Sequence, residues 1–392
     1  MTSPWQHLQN LLAFGPRPIG SSGNQAAADR IHETFASLGL EVEEQPYACT
    51  GWEHAGTRLE VGGASVTAEA NAFSPACDVE ARVLTAGTIR ELESIEASSM
   101  ILLLYGDLIG SPLAPKSWFL KSERDDRIIQ RLEKIRPAAI LALPTETPYV
   151  GQLIEDWEFN LPSATVPMGV ALSLIRDPDA PVHLTIRSRR MPAEARNIVA
   201  RKPGPQRKRL VLCAHFDTKK DTPGASDNAG GVAVLLALAE TLPGLDLPVG
   251  LEFVAFNGEE YLPMGDEEYL RRAGKTFATI AACMNFDGIG TALGSTSITS
   301  IAMHEEVETA LKAMTEKYRG VVWVSPWPES NHSTFTMRGV PAIAFSAVGA
   351  RRLAHAREDT LEVMHPEKLA EVTSLASEIV PLLSEHLGAL AD

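Results

Sequence analysis

One pattern constrains this chain more than any other. Between residues 209 and 348, short apolar runs of strand length end in an imidazole or a carboxylate and alternate with helix-forming stretches. RLVLCAH, VGLEFVAF, TIAACMNFD and VPAIAFSA read as buried strands; NAGGVAVLLALAETL, DEEYLRRAG and the final EKLAEVTSLASEIVPLLSEHL read as helices. Strands that are apolar along their whole length must be covered on both faces. The expected fold class is therefore α/β: a doubly wound, mixed but mostly parallel sheet with helices on both faces. Open sheets of this kind collect ligands at the carboxyl ends of their strands. Those are the ends where the polar residues stand.

The first strand ends in AHFDT, which puts His215 and Asp217 on the same side, since residues two apart in a strand point the same way. His215 can then ligate a metal while Asp217 holds its other ring nitrogen and raises its basicity. Twelve residues past His215, GASDNAGG sets Asp227 at the start of a helix, where its carboxylate can reach two cations from a Gly-rich turn. The next strand ends in FNGEEY. Burying the adjacent Glu259 and Glu260 is costly unless positive charge compensates them. One of the two can bind metal while the other takes a proton from an activated water. Asp287 follows the third strand in NFDGIG, and His355 follows the last in AHAREDT. Two imidazoles and three carboxylates without a thiolate suit Zn2+, with Mn2+ or Co2+ as substitutes.

With these motifs in place, the chain resembles the di-zinc aminopeptidases, the family of bacterial leucyl aminopeptidase and plasma glutamate carboxypeptidase. AHFDT, GASDNAGGVAVLLALA, FVAFNGEEYLPMGDEEYL and MNFDGIG are similar to the family's core motifs, and GPRPIGSSGNQAAADRIHETFASLGLEV is similar to its N-terminal helical segment. The resemblance implies a zinc-exopeptidase-like fold and two Zn2+ ions. By it His215, Asp227 and Asp287 would hold one ion, and Asp227, Glu260 and His355 the other. Glu259 would be the general base, Asp217 would orient His215, and the Asp227-Asn228 peptide would be cis. The sequence departs from the family pattern twice. SNHSTF has Asn331 where many members have aspartate, and Ala354 stands where several have a tyrosine that stabilises the oxyanion. His332 is expected either to bind substrate or to be a satisfied structural histidine; it is then a candidate for that role, as is a zinc ion.

The rest of the chain divides by texture. Residues 1–48 read as two helices and a strand belonging to the peptidase part. Residues 49–192 change to short strand-like runs separated by Gly, Pro and Ser clusters, with one helical stretch, DDRIIQRLEKI, and no set of convergent metal-ligating residues. This segment is expected to be an inserted, mostly β module and resembles the protease-associated (PA) domain of many family members. Residues 193–392 form the catalytic part, and the basic stretch from Arg201 to Arg209 is expected to be a solvated hairpin turn. The formal charge of -15 repels nucleic-acid phosphates and anionic membranes, so neither is an expected partner. Four scattered cysteines imply no disulfide framework, and the opening residues lack a signal-peptide pattern, so a cytoplasmic enzyme is expected. The expected activity is hydrolysis of peptide substrates by an exopeptidase, most simply an aminopeptidase. A catalytically inactive scaffold of the same fold, or a related zinc deacylase or carboxypeptidase, is the alternative; the sequence leaves the oligomeric state open.

Overall fold

A computed structural model describes residues 2–96, 98–118, 121–143, 153–350 and 352–389. The chain forms two compact units: Met1–Cys49 together with Glu194–Asp392, and Thr50–Ala193. Two long strands, Glu41–Val61 and Val182–Lys202, carry the backbone between them. The change of unit therefore falls inside continuous strands. No Gly- or Pro-rich linker marks it, because an extended backbone can leave one core and enter another without a break.

In the first unit the sheet runs in the order Val321–Trp323, Ser295–Ile301, Ala342–Val348, Ile280–Phe286, Arg209–His215, Gly250–Phe256, and then the strand ending at Lys202. The central pairings are parallel: Arg209–His215 lies between Gly250–Phe256 and Ile280–Phe286, and Ile280–Phe286 pairs in parallel with Ala342–Val348. Antiparallel strands flank this centre, Ser295–Ile301 on one side and the Lys202 strand on the other. Ser295–Ile301 has the sequence STSITSI, so hydrophobicity alone does not reveal it. Its β-branched Thr and Ile residues suit a pleated surface.

Alternation explains why central strands are apolar throughout. Leu210, Leu212 and Ala214 enter one buried cluster, while Val211 and Cys213 enter another. Phe253 and Ala255 likewise separate from Val254 and Phe256. The first face is covered by the helix Gly230–Thr241, whose residues from Gly230 to Ala239 are all buried, and by the helices Pro4–Leu12, Ser22–Ser37 and Pro366–Ala389 packed around it. A helix apolar on every side has to lie inside the molecule. The second face is covered by Met264–Ala273 and His332–Thr336, through Tyr269 and Phe335.

The Arg201–Arg209 stretch corrects an expectation. The strands that it joins are not neighbours, because Gly250–Phe256 lies between them, so it is no hairpin turn. Nor are its arginines merely solvated. Arg201 Nε lies 2.5 Å and Arg209 Nε 3.2 Å from a carboxylate oxygen of Glu252, which is fully buried. The two guanidinium groups offset the charge of a carboxylate buried in the middle of the sheet.

The second unit has a five-stranded sheet in the order Glu69–Ala70, Ser163–Thr165, Ala139–Ala142, Ile101–Leu104, Val83–Ala86. All its pairings are parallel except the first. The expectation of a mostly β module is refined here, since the helix Glu123–Ile135 packs on one face and Met168–Arg176 on the other. Ser122 caps the start of Glu123–Ile135. Arg136, in the left-handed conformation, ends it directly before Pro137. Among the described residues no helix is long and apolar enough to cross a membrane.

The packing between sheet and central helix leaves no spare volume. A Cβ on Gly231 would lie 2.2 Å from Asn228 Oδ1 and 2.3 Å from the Phe286 carbonyl oxygen, whereas one on the helical Gly169 would meet nothing within 4 Å. Gly231→Ala should therefore lower the unfolding free energy by about 1–3 kcal/mol. Gly169→Ala should leave it unchanged or raise it by up to about 1 kcal/mol. Urea denaturation of the two variants checks the difference in sign.

Candidate metal centre

Each candidate side chain sits just beyond the carboxyl end of a sheet strand or on the turn that follows. His215 is the last residue of Arg209–His215 and Asp287 the first after Ile280–Phe286. Asp227 lies on a single irregular turn, Ala225–Ala229, where Asp227 and Asn228 leave helical geometry and the peptide between them is cis. Asn228 then stitches the turn to the sheet: its Nδ2 donates to the Phe286 carbonyl and its Oδ1 accepts from Gly231 N, both at under 3 Å. Glu259 and Glu260 stand on the turn after Gly250–Phe256.

Asp227 is the hub. Its Oδ1 lies 3.2 Å from His215 Nε2, and its Oδ2 lies 3.1 Å from His355 Nε2. On the His215 side, Asp287 Oδ1 is 3.4 Å from the same imidazole nitrogen. On the other side, Glu260 Oε2 is 3.0 Å from His355 Nε2. The five residues thus form two half-sites that share one carboxylate. Glu259 reaches the first of them, with Oε2 3.9 Å from His215 Nε2. His355 is the outermost member, its side chain 42% exposed.

Asp217 is placed differently from the expectation. Its Oδ1 is 3.6 Å from His215 Nδ1, too long for a hydrogen bond. Both its oxygens instead accept backbone amides, Oδ1 from Glu259 N at 3.2 Å and Oδ2 from Glu260 N at 3.1 Å. A fully buried carboxylate at the end of one strand thereby holds the glutamate pair at the end of the next. Lys219 reinforces the arrangement by donating to the Glu260 carbonyl, with its Nζ 4.0 Å from Glu260 Oε2.

The electrostatics show strain between burial and charge. Burial alone would raise Asp227, but the neighbouring imidazoles of His215 and His355 hold it well below the usual carboxylate range. Burial pushes Glu259 well above its ordinary value; His215 opposes the shift, while Asp287, Glu260 and Asp227 add to it. Glu260 is raised by burial as well, against His355 and with Asp227. Both imidazoles move up despite their burial: His215 through Asp287 and Glu259, His355 through Glu260 and Asp227.

The donor set fits a divalent cation. Neither ring nitrogen of the buried His215 has a hydrogen bond, and Glu260 Oε1 also lacks one. Buried polar atoms without partners are uncommon, and a missing ion is a standard reason for them. Ligand atoms of His215, Asp227 and Glu260 lie within 4.8 Å of one another. Nitrogen and oxygen donors of this kind suit zinc.

His332 does not join them. Its Nε2 is 2.8 Å from the Trp327 carbonyl and its Nδ1 is 3.4 Å from Asn285 Nδ2, and burial lowers its pKa. With both nitrogens engaged by the protein, the contacts favour the structural one of the two expected roles over binding of substrate or the oxyanion. Asn331 donates to both oxygens of Asp266, at 3.1 and 3.0 Å, and burial pushes that carboxyl up to about 6. Sequence reasoning also missed Arg17 and Asp359, both fully buried beside the Asp227 turn. The only sequence signals for them were an arginine inside GPRPIG and an acid four residues beyond His355.

Residues 197–380 match peptidase family M28. An aminopeptidase of Pseudomonas aeruginosa is 27% identical over 322 residues, covering 73% of this chain and 56% of its own length. A probable lipoprotein aminopeptidase of Mycobacterium tuberculosis is 23% identical over 288 residues, covering 70% and 55%. The chain thus spans about half the length of these curated relatives. Among solved structures, BSAP, a zinc aminopeptidase from Bacillus subtilis, superposes with a TM-score of 0.78 over 96% of this chain and 93% of its own, at 19% identity.

If His332 is structural, His332→Ala should cost about 1–3 kcal/mol of stability, the range for leaving buried partners unsatisfied. Uptake of divalent metal should be unchanged. Denaturation midpoints and elemental analysis of the same preparation check both halves.

Proposed function

We propose that this member of peptidase family M28 is a zinc-dependent aminopeptidase that holds two zinc ions in the half-sites sharing Asp227. The observation that carries the reading is the division of Asp227 between two imidazoles, each backed by a second carboxylate, with orphaned buried donors on His215 and Glu260. His215 and Asp287 would complete one site, and Glu260 and His355 the other. Manganese or cobalt would be accommodated by the same donors. Zinc held there would supply Lewis-acid polarisation of the scissile carbonyl and would acidify the attacking water.

The chain's own residues supply the proton transfers and the geometry. Glu259 is not needed to complete either pair, lies beside the His215 half-site, and has its proton affinity raised by burial. It suits the base that takes the proton of the attacking water and returns it to the leaving amine. Asp217 fixes the backbone of Glu259 and Glu260 through their amides. The 50–193 unit belongs to this reading as a PA-type insert, supported by its place in the chain and its separate core. The names of the aminopeptidase relatives support the choice of a substrate with a free amino terminus.

Elemental analysis after zinc loading should find about two ions per chain. Glu259→Gln should keep the metal but lose at least about 100-fold in kcat on aminoacyl-nitroanilides. Glu260→Gln should instead weaken metal retention. Interchanged effects would reverse the two roles, and wild-type protein without zinc or activity would remove the peptidase reading.

A further inference from the structure

Arg17 is the largest fully buried side chain in the described structure, and it lies immediately behind the metal centre. A guanidinium cannot shed its charge in a protein, so it needs acceptors wherever it is buried. Among the described residues no carboxylate lies within ion-pair distance of it. Its acceptors are backbone carbonyls: Nε donates to Phe216 O at 2.9 Å, Nη1 to Gly15 O at 3.0 Å and Pro223 O at 2.9 Å, and Nη2 to Gly224 O at 2.9 Å. Phe216 separates His215 from Asp217, and Pro223 and Gly224 lead into the turn that carries Asp227.

Asp359 meets the same turn from the other side and with the opposite polarity. Its Oδ1 accepts from Ser226 N and Ser226 Oγ, both at 2.8 Å, and its Oδ2 accepts from Asp227 N at 3.0 Å. Its own carbonyl accepts Ala225 N at 3.0 Å. From residue 223 to 227, a buried cation therefore takes the carbonyls and a buried anion takes the amides. Because Asp359 follows His355 by four residues, this clamp also ties the His355 loop to Asp227.

We propose that Arg17 and Asp359 are positioning residues that assemble the Asp227 turn before metal binds, fixing the shared carboxylate between the His215 and His355 half-sites. This rests on the zinc reading above. Every contact in the clamp is between protein atoms, so none of them requires a metal ligand bond. Gly224 is part of the device: its φ is +65°, and a Cβ there would lie 2.3 Å from Thr218 Cγ2 and 3.0 Å from Arg17 Nη2. The N-terminal GPRPIG stretch thus contributes to the site from some 200 residues away without supplying a ligand.

The test uses the full chain with Arg17→Lys and Asp359→Asn. Lysine keeps the charge but has only three donors on one nitrogen and cannot span the four carbonyls. Asparagine keeps the shape but can turn a donor toward Asp227 N. Zinc affinity is measured by competition with a chromophoric chelator, and kcat and KM at saturating zinc. Each variant is expected to bind zinc about 10- to 100-fold more weakly, the usual effect of losing a group that orients a ligand. Each should also lose kcat at saturating zinc with little change in KM. Leu375→Ala, a truncation in the core on the C-terminal helix, should lose stability while keeping wild-type zinc affinity, which separates positioning from general destabilisation. If Arg17→Lys fails to fold, Asp359→Asn carries the same expectation. Folded variants with wild-type zinc affinity and kcat would overturn the clamp alone. A wild-type protein that takes up no zinc would overturn the zinc reading on which the clamp rests.

Discussion

The site is governed by the need to neutralise buried negative charge. Asp217, Asp227, Glu259, Glu260 and Asp287 converge at one edge of the sheet, each buried or half-buried. Their repulsion is offset by the two imidazoles, whose proton affinity these carboxylates raise, and from behind by the charge of Arg17. A divalent cation in each half-site would do the same with better geometry, releasing the imidazoles to act as neutral donors.

The sheet makes such crowding possible. Parallel strands all end on one side, so His215, the Glu259–Glu260 turn and Asp287 arrive at the same edge without any local sequence signal that they are neighbours. The strands themselves are anchored by apolar residues on both faces, which makes their ends rigid points of attachment. Asp217 then shows how neighbouring ends are locked together. It spends its lone pairs on the amides of the next turn and only approaches His215, so the glutamates are held by backbone contacts rather than by their own carboxylates.

The pairing of opposite charges on one short turn is the second organising device. A turn that must present a carboxylate to two sites cannot be left to solvent, and its amides and carbonyls need partners once buried. Arg17 and Asp359 satisfy both kinds of group and come from opposite ends of the chain. The metal centre is thereby the point at which the N-terminal segment, the central strands and the C-terminal loop are joined.

Much of this was legible from residue order. Uniformly apolar strands such as RLVLCAH and VGLEFVAF can exist only inside a two-faced sheet, and a polar residue placed just past each of them has only the strand-end edge to occupy. The α/β class and the set His215, Asp227, Glu260, Asp287 and His355 follow from those local facts together with the family resemblance. Local sequence could not decide where the two ring nitrogens of His332 point, whether Asp217 serves His215 or the glutamate amides, or that Arg201 and Arg209 close on Glu252 across an intervening strand. Nor could it pick out Arg17 and Asp359, which look like an ordinary turn arginine and a loop acid. Hydrophobic period is a property of neighbours along the chain and survives in the sequence; the partner of a buried polar group is a property of neighbours in space, and only the folded structure, by bringing residues 17, 227 and 359 together, selects it.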